Sequence, residues 1–198
     1  MSVDNLKSRI LSSDPEEFVD NDILGKAAPH CTGVQIEFVR QALSSKFRIT
    51  LDREHFHVVG SAKLGYALFE KRTRYAVLPA FRPFRPESDI DIAIASPALF
   101  DVIWDELSIY ASAQPRTPWD SGHLGDYMIQ GWLRPDHFPK GARLRRCDDW
   151  WDAFRMISAS NHFRWRTVNG ALYHSREHLR RYQIKGVNQC RRSLEEQS

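Results

Sequence analysis

The chain has 198 residues, 42% of them apolar and six of them tryptophan, enough for the core of one domain or of one domain with a helical annex. No stretch approaches the ~20 apolar residues of a membrane-spanning helix, and the mixed-charge start MSVDNLKSRILSSDPEEF lacks an apolar signal core, so we expect a cytoplasmic protein that does not enter a membrane. A net charge of +3 hides an asymmetry: residues 140–192 hold thirteen Lys/Arg against four Asp/Glu and the remainder is net acidic, a pattern suited to an anionic partner or to chains meeting through opposite charge.

The three cysteines, Cys31, Cys147 and Cys190, are odd in number and widely spaced. They read as free thiols, not as a zinc cluster or a disulfide frame.

In chain order, the first fifty residues read as helical. Asp14-Pro15-Glu16-Glu17 is a helix start: a capping carboxylate, proline at the first position and acids at the positive end. Val34, Ile36, Phe38, Val39 and Leu43 fit one helix that leads to the first strand, His55 to Val59. His55 and His57 alternate on that strand; two histidines without a third ligand describe a half-exposed face better than a metal site. We divide the chain into a helical segment at 1–54, packed on the core, and a main domain at 55–198.

Gly60-Ser61 forms a turn, followed by a short helix from Ala62 to Leu68. A long connection at about 69–87 comes next. It interleaves Lys71, Arg72, Arg74, Arg82 and Arg85 with Tyr75, Phe81 and Phe84. Charge for a phosphate and flat faces for a base suit a nucleotide or a single strand of nucleic acid, with Arg82 and Arg85 as candidate acceptor or phosphate contacts. A proline-stiffened loop packed on its own aromatics explains the same residues. Ser88-Asp89-Ile90-Asp91-Ile92-Ala93-Ile94 then reads as a strand. Alternation puts Asp89 and Asp91 on one face and the isoleucines on the other. Two like charges on one face are unfavourable for folding alone but suit a divalent cation.

Ser96-Pro97 caps a helix to about Ala111, with Phe100, Ile103, Trp104 and Leu107 as its apolar stripe. AQPRTPWDSGHLG reads as a loop, and its Asp120-Ser121-Gly122-His123 lacks the strand-to-helix elbow of a hydrolase nucleophile. Asp126 opens a stretch whose Tyr127-to-Leu133 part reads as a strand, ending at the turn Arg134-Pro135-Asp136. Asp148-Asp149-Trp150-Trp151 starts a helix anchored by both tryptophans, Phe154 and Ile157. Arg166 to His174 reads as a strand. Ser175 caps a last, basic helix carrying Arg176, Arg180, Arg181, Lys185, Arg191 and Arg192, which Gly186 should break or kink. A solvated helix face and a polyanion contact both fit those charges.

The combination VVGSAKLGYAL and ESDIDIAI resembles the signature of the DNA polymerase β-like nucleotidyltransferase superfamily: an apolar strand, Gly-Ser, a short helix, and a strand with Asp-x-Asp between apolar residues. The resemblance covers residues 55–96. It implies an α+β fold, a small mixed sheet flanked by helices, and transfer of a nucleoside monophosphate from a nucleoside triphosphate to a hydroxyl of a protein, an RNA or a small molecule. By the same resemblance, Gly60, Ser61 and Lys63 meet the triphosphate. Asp89 and Asp91 hold Mg²⁺ or Mn²⁺, and a third carboxylate on a neighbouring strand completes the site.

Two departures stand out. The connection between the motif halves is longer than in the family. The third carboxylate is not fixed either: Asp126 is the first choice and Asp136, Asp148 and Asp149 are rivals, while the late strand offers only Asn169. If the third position falls on Asn169, the site is incomplete, and the chain becomes a nucleotide-binding or regulatory subunit. A nucleic-acid binder on the same fold is a further alternative. The modest size is closest to the minimal bacterial transferases, which implies a place in a toxin–antitoxin or phage-defence system and a partner protein or self-association.

Overall fold

The structure, a computed structural model, describes residues 1–115, 121–134, 138 and 144–196, with the backbone alone for 121–123. Asp120, Asp136 and the Arg134-Pro135-Asp136 turn as a unit lie outside the described residues. The fold is α+β: among the described residues, eight α-helices surround a mixed four-stranded sheet, with a separate two-stranded hairpin.

The N-terminal segment is helical, as its caps dictate. Helix α1 (Val3–Ser12) starts where the Ser2 hydroxyl accepts the Asn5 N–H. Helix α2 (Pro15–Phe18) starts where Asp14 accepts the N–H groups of Glu16 and Glu17, and it runs into a π-helical turn, Val19–Gly25. Helix α3 (Gly33–Phe47) opens with a reciprocal Thr32–Gln35 capping box. It buries Ile36, Val39, Leu43 and Phe47 at helical spacing, so Val34 falls on the far side of the helix and is exposed.

A 3₁₀ turn (Arg53–His55) leads into β1 (Phe56–Val59), and His55 belongs to the turn, not to the strand. Helix α4 spans only Gly60–Leu64 and ends at Gly65, which has φ +82°. The hairpin β2 (Lys71–Arg72) and β3 (Val77–Leu78) follows, then β4 (Ile90–Ala95). Ser96 caps α5 (Pro97–Ser112) by accepting the Leu99 N–H. Its buried stripe is Leu99, Phe100, Ile103 and Leu107, which leaves Trp104 at its partly exposed edge.

The strand expected over Tyr127 to Leu133 is mostly helix. Residues Ser121–Ile129 form helix α6, and the expected strand shrinks to β5, Trp132–Leu133. Leu124 and Met128, four apart, both turn to the core, so a helical period wins over the β-favouring residues around Tyr127. Helix α7 (Arg145–Ser158) begins before Asp148 and buries Cys147, Trp150, Phe154 and Ile157, which leaves Trp151 half-exposed. Strand β6 (Val168–Tyr173) precedes α8 (Arg176–Glu195), capped by Ser175. Helix α8 runs unbroken through Gly186, because Leu179, Val187, Cys190 and Leu194 are all buried along its length.

The sheet order is β1-β4-β6-β5; β4 is antiparallel to β1 and parallel to β6, and β5 is antiparallel to β6. Two cores flank it. One packs Ile90, Ile92 and Ile94 against α3, α5 and α7. The other packs Val59, Ala93, Ala95 and Tyr173 against α1, α2, the π turn and α8. On that second face the acidic and basic ends of the chain meet: Arg180 bonds Asp20 at 2.8 Å and Glu16 at 2.9 Å, and Arg191 donates to the carbonyls of Ile10 and Ser13. Much of the charge asymmetry is thus matched inside one chain. All three cysteines are buried free thiols, and burial pushes Cys31 and Cys190 up to about 11. No helix among the described residues is long and apolar enough to cross a membrane.

Candidate active site

Register across the sheet brings the two halves of the motif together. On β1, Val59 is paired with Asp91 of β4, and Gly60 follows immediately. Gly60 has φ +63°, a region that L side chains avoid. A Cβ there would stand 2.9 Å from Asp91 Oδ2. Glycine is therefore required twice, by the backbone and by the carboxylate that it touches. Sequence alone could argue only the first.

Asp91 lies on the face of β4 that carries Ala93 and Ala95, opposite the isoleucines, whereas Asp89, expected within the strand, immediately precedes it, near enough for its charge to act on Asp91. Both are half-buried. Burial and the Asp89 charge push the Asp91 carboxyl up, against the opposing pull of Asn169 and Lys71. The Lys71 ammonium, from the hairpin, lies 3.8 Å from Asp89 Oδ2. The pair thus carries charge that the chain compensates only in part. Two oxygen donors of this kind fit Mg²⁺, which is commonly held by one or two carboxylates together with substrate phosphates.

The position beside Asp91 on β6 is Asn169, whose amide donates to Asp91 Oδ1 at 3.1 Å. Asp126, the expected third carboxylate, is an exposed residue of α6 and opens no strand. Asp148 and Asp149 lie on α7, across the sheet, and Asp149 pairs with Lys46 at 3.2 Å. The carboxylate expected on the neighbouring strand is therefore an amide.

Lys63 departs from its expected role. It is buried, and its ammonium donates to the Lys26 carbonyl. Burial pulls its pKa down while Asp22 opposes that. It ties α4 to the N-terminal segment. Helix α4 itself is barely more than one turn, so its dipole is weak, and the backbone around Gly60 and the Ser61 hydroxyl are the remaining donors on that side.

The long connection does come to the site as a hairpin. Its ends are laced to the stretch after α4: the Ala67 N–H donates to the Arg82 carbonyl, and the Phe84 N–H to that of Gly65. Arg82 reaches the carbonyls of Phe69 and Pro79 and so holds the hairpin's own backbone. Arg85 is exposed, 4.0 Å from Glu87. Of its aromatics, Phe84 packs between His30 and Arg166, outside the connection itself, whereas Tyr75 is 88% exposed.

The histidines do not pair. His55 sits in an exposed trio with Asp52 and Glu54 and accepts the Asp52 N–H. His57 is half-buried, its Nε2 without a partner; burial and the cations Arg176, Arg53 and Lys63 pull it down to about 4. Comparison with known proteins adds no relative: no family model matches the chain, and neither a curated protein nor a solved structure matches it significantly.

Proposed function

We propose that the chain is a nucleotidyltransferase of the DNA polymerase β-like kind, moving a nucleoside monophosphate from a nucleoside triphosphate to a hydroxyl acceptor. The observation that carries this is the meeting of Gly60 with Asp91, thirty-one positions apart in sequence. Register sets Val59 opposite Asp91, and the space that a Cβ on Gly60 would need is taken by Asp91 Oδ2.

In this reading Asp89 and Asp91 hold Mg²⁺ or Mn²⁺, while the Gly60 backbone and Ser61 hydroxyl bind triphosphate oxygens. The bound cation neutralises charge that develops on the phosphoryl oxygens. The acceptor oxygen bonds the α-phosphorus, the α–β bridging P–O bond breaks, and pyrophosphate leaves. The acceptor's proton goes to a site carboxylate or to water, since Asn169 cannot take it.

Asn169 favours a second reading, a subunit that binds the nucleotide without transferring it. One experiment separates the two. The protein is incubated with each α-³²P-labelled nucleoside triphosphate and Mg²⁺ or Mn²⁺, with total RNA or lysate protein, beside an Asp89→Asn/Asp91→Asn variant. Label moving to an acceptor, and lost in the variant, supports transfer. Triphosphate binding by calorimetry without transfer supports the second reading, and Asn169→Asp should then gain metal affinity. Neither binding nor transfer overturns both.

A further inference from the structure

A groove of about 950 Å³ lies between the hairpin and α8. It adjoins the smaller cleft that contains Asp91 and Asn169, because Trp132 and Arg134 line both. Aromatic rings form its walls. Trp132 lies 4.5 Å from the Tyr182 ring and 4.8 Å from the Tyr127 ring, and Arg134 sits 5.0 Å from both Tyr127 and Trp132. Across from them Phe69 is 40% exposed, and Phe81 carries the Lys7 ammonium 4.9 Å above its ring. The charged side chains lining the groove are Lys7, Arg134 and Lys185 against Glu70. Gln130, Gln183 and Gln189 add amides that can both donate and accept.

Gly186 is the second observation. It stands in the middle of a twenty-residue helix, where glycine is the poorest choice after proline. Packing does not demand it: a Cβ there would find only Phe69, at an ordinary 4.0 Å. Gly186 lines the groove, so its missing side chain keeps space open between α8 and the exposed Phe69 ring.

We propose that this groove binds a single-stranded polynucleotide, with bases against its rings and phosphates at Lys7, Arg134 and Lys185. Flat rings, cations and two-way amides together match that chemistry, whereas an acidic peptide would use the cations alone. The volume admits more than one nucleotide. The inference deepens the reading above by naming the acceptor, whose terminal hydroxyl would arrive beside Asp89 and Asp91. The binding itself does not depend on transfer.

The test is fluorescence anisotropy of labelled oligouridylate and oligothymidylate on the full chain, without nucleotide or divalent cation, over a series of salt concentrations. Binding of either strand is expected, and which one binds tells RNA from DNA. Gly186→Leu should fill the groove and weaken binding at least ~10-fold without lowering Tm, and Phe69→Ala should cost about the same factor. Lys185→Ala should reduce the salt slope by about one. Absence of binding by both strands, wild-type affinity in both Gly186→Leu and Phe69→Ala, or equal competition by oligoglutamate would overturn the proposal. Groove binding without nucleotidyl transfer would sink the enzyme reading alone, and transfer to another acceptor without groove binding would sink this one alone.

Discussion

The two faces of β4 are built from opposite chemistry. One carries Ile90, Ile92 and Ile94, each at most 1% exposed and closed over by α3, α5 and α7. The other starts with Asp91, just after Asp89, and turns apolar only at Ala93 and Ala95, where the second core begins. A two-residue period thus separates, within one strand, positions that hold the fold from positions free to do chemistry. Mutations on the two faces should fail in different ways.

The largest expected effect is on the acidic face. Asp91→Asn should lower transfer by about a thousandfold, since a cation contributes several kcal/mol of charge stabilisation. It should leave Tm unchanged or raised, because burial and Asp89 already disfavour the charge. A drop in Tm matching the drop in rate would erase the distinction between the faces. On the other side, Ile92→Ala should cost ~2–5 kcal/mol in urea unfolding, with activity per folded molecule preserved.

His57, paired with Ala93 across β1 and β4, extends the comparison to pH. Its folded pKa of about 4 lies below the ordinary histidine value, so the unfolded chain binds the extra proton first. Stability should be full above pH ~6.5 and fall as pH drops toward ~4, by on the order of 2 kcal/mol given its partial exposure. His57→Leu should flatten that slope, and an unchanged slope would place the titration elsewhere. Gly60→Ala should cost ~1–2 kcal/mol of stability for the left-handed backbone. It should also weaken triphosphate binding by displacing Asp91, which calorimetry would read.

Local chemistry was legible in the sequence where one residue decides. Asp14, Ser96 and Ser175 each cap the helix that their spacing implies, and the alternation of β4 sets Asp91 opposite the buried isoleucines, although the strand starts one residue after Asp89. What failed were choices made by tertiary packing. Trp104, Trp151 and Val34 belong to apolar runs, yet the phase of each helix against the sheet turns them outward. Tyr127 to Ile129 favour a strand by composition but continue a helix whose Leu124 is already anchored. At the candidate site, Gly60, Asp89 and Asp91 could be named from their residue types and motif, although Gly60 and Asp91 meet only through the register of β1 and β4. Lys63 could not be read correctly, since its partner is the distant Lys26 carbonyl. Nor could the groove, since it needs the hairpin, β5 and α8 together. The one trace of it is the series Tyr182, Gly186, Gln189 and Ser193, polar or small at helical spacing on one face of the last helix.

The clamp of Arg180 and Arg191 on the N-terminal helices also sets an order of events in time. Asp20 and Arg180 are 160 residues apart, and Ile10 and Arg191 farther still. At ~5–20 residues per second of synthesis, α1 and α2 wait roughly 8–30 s for the helix that fastens them. The sheet and its isoleucine face need nothing from that helix, so they can form first. The acidic face is closed last, by the final helix described, and a chain released after β6 but before that helix has a sheet with one finished side.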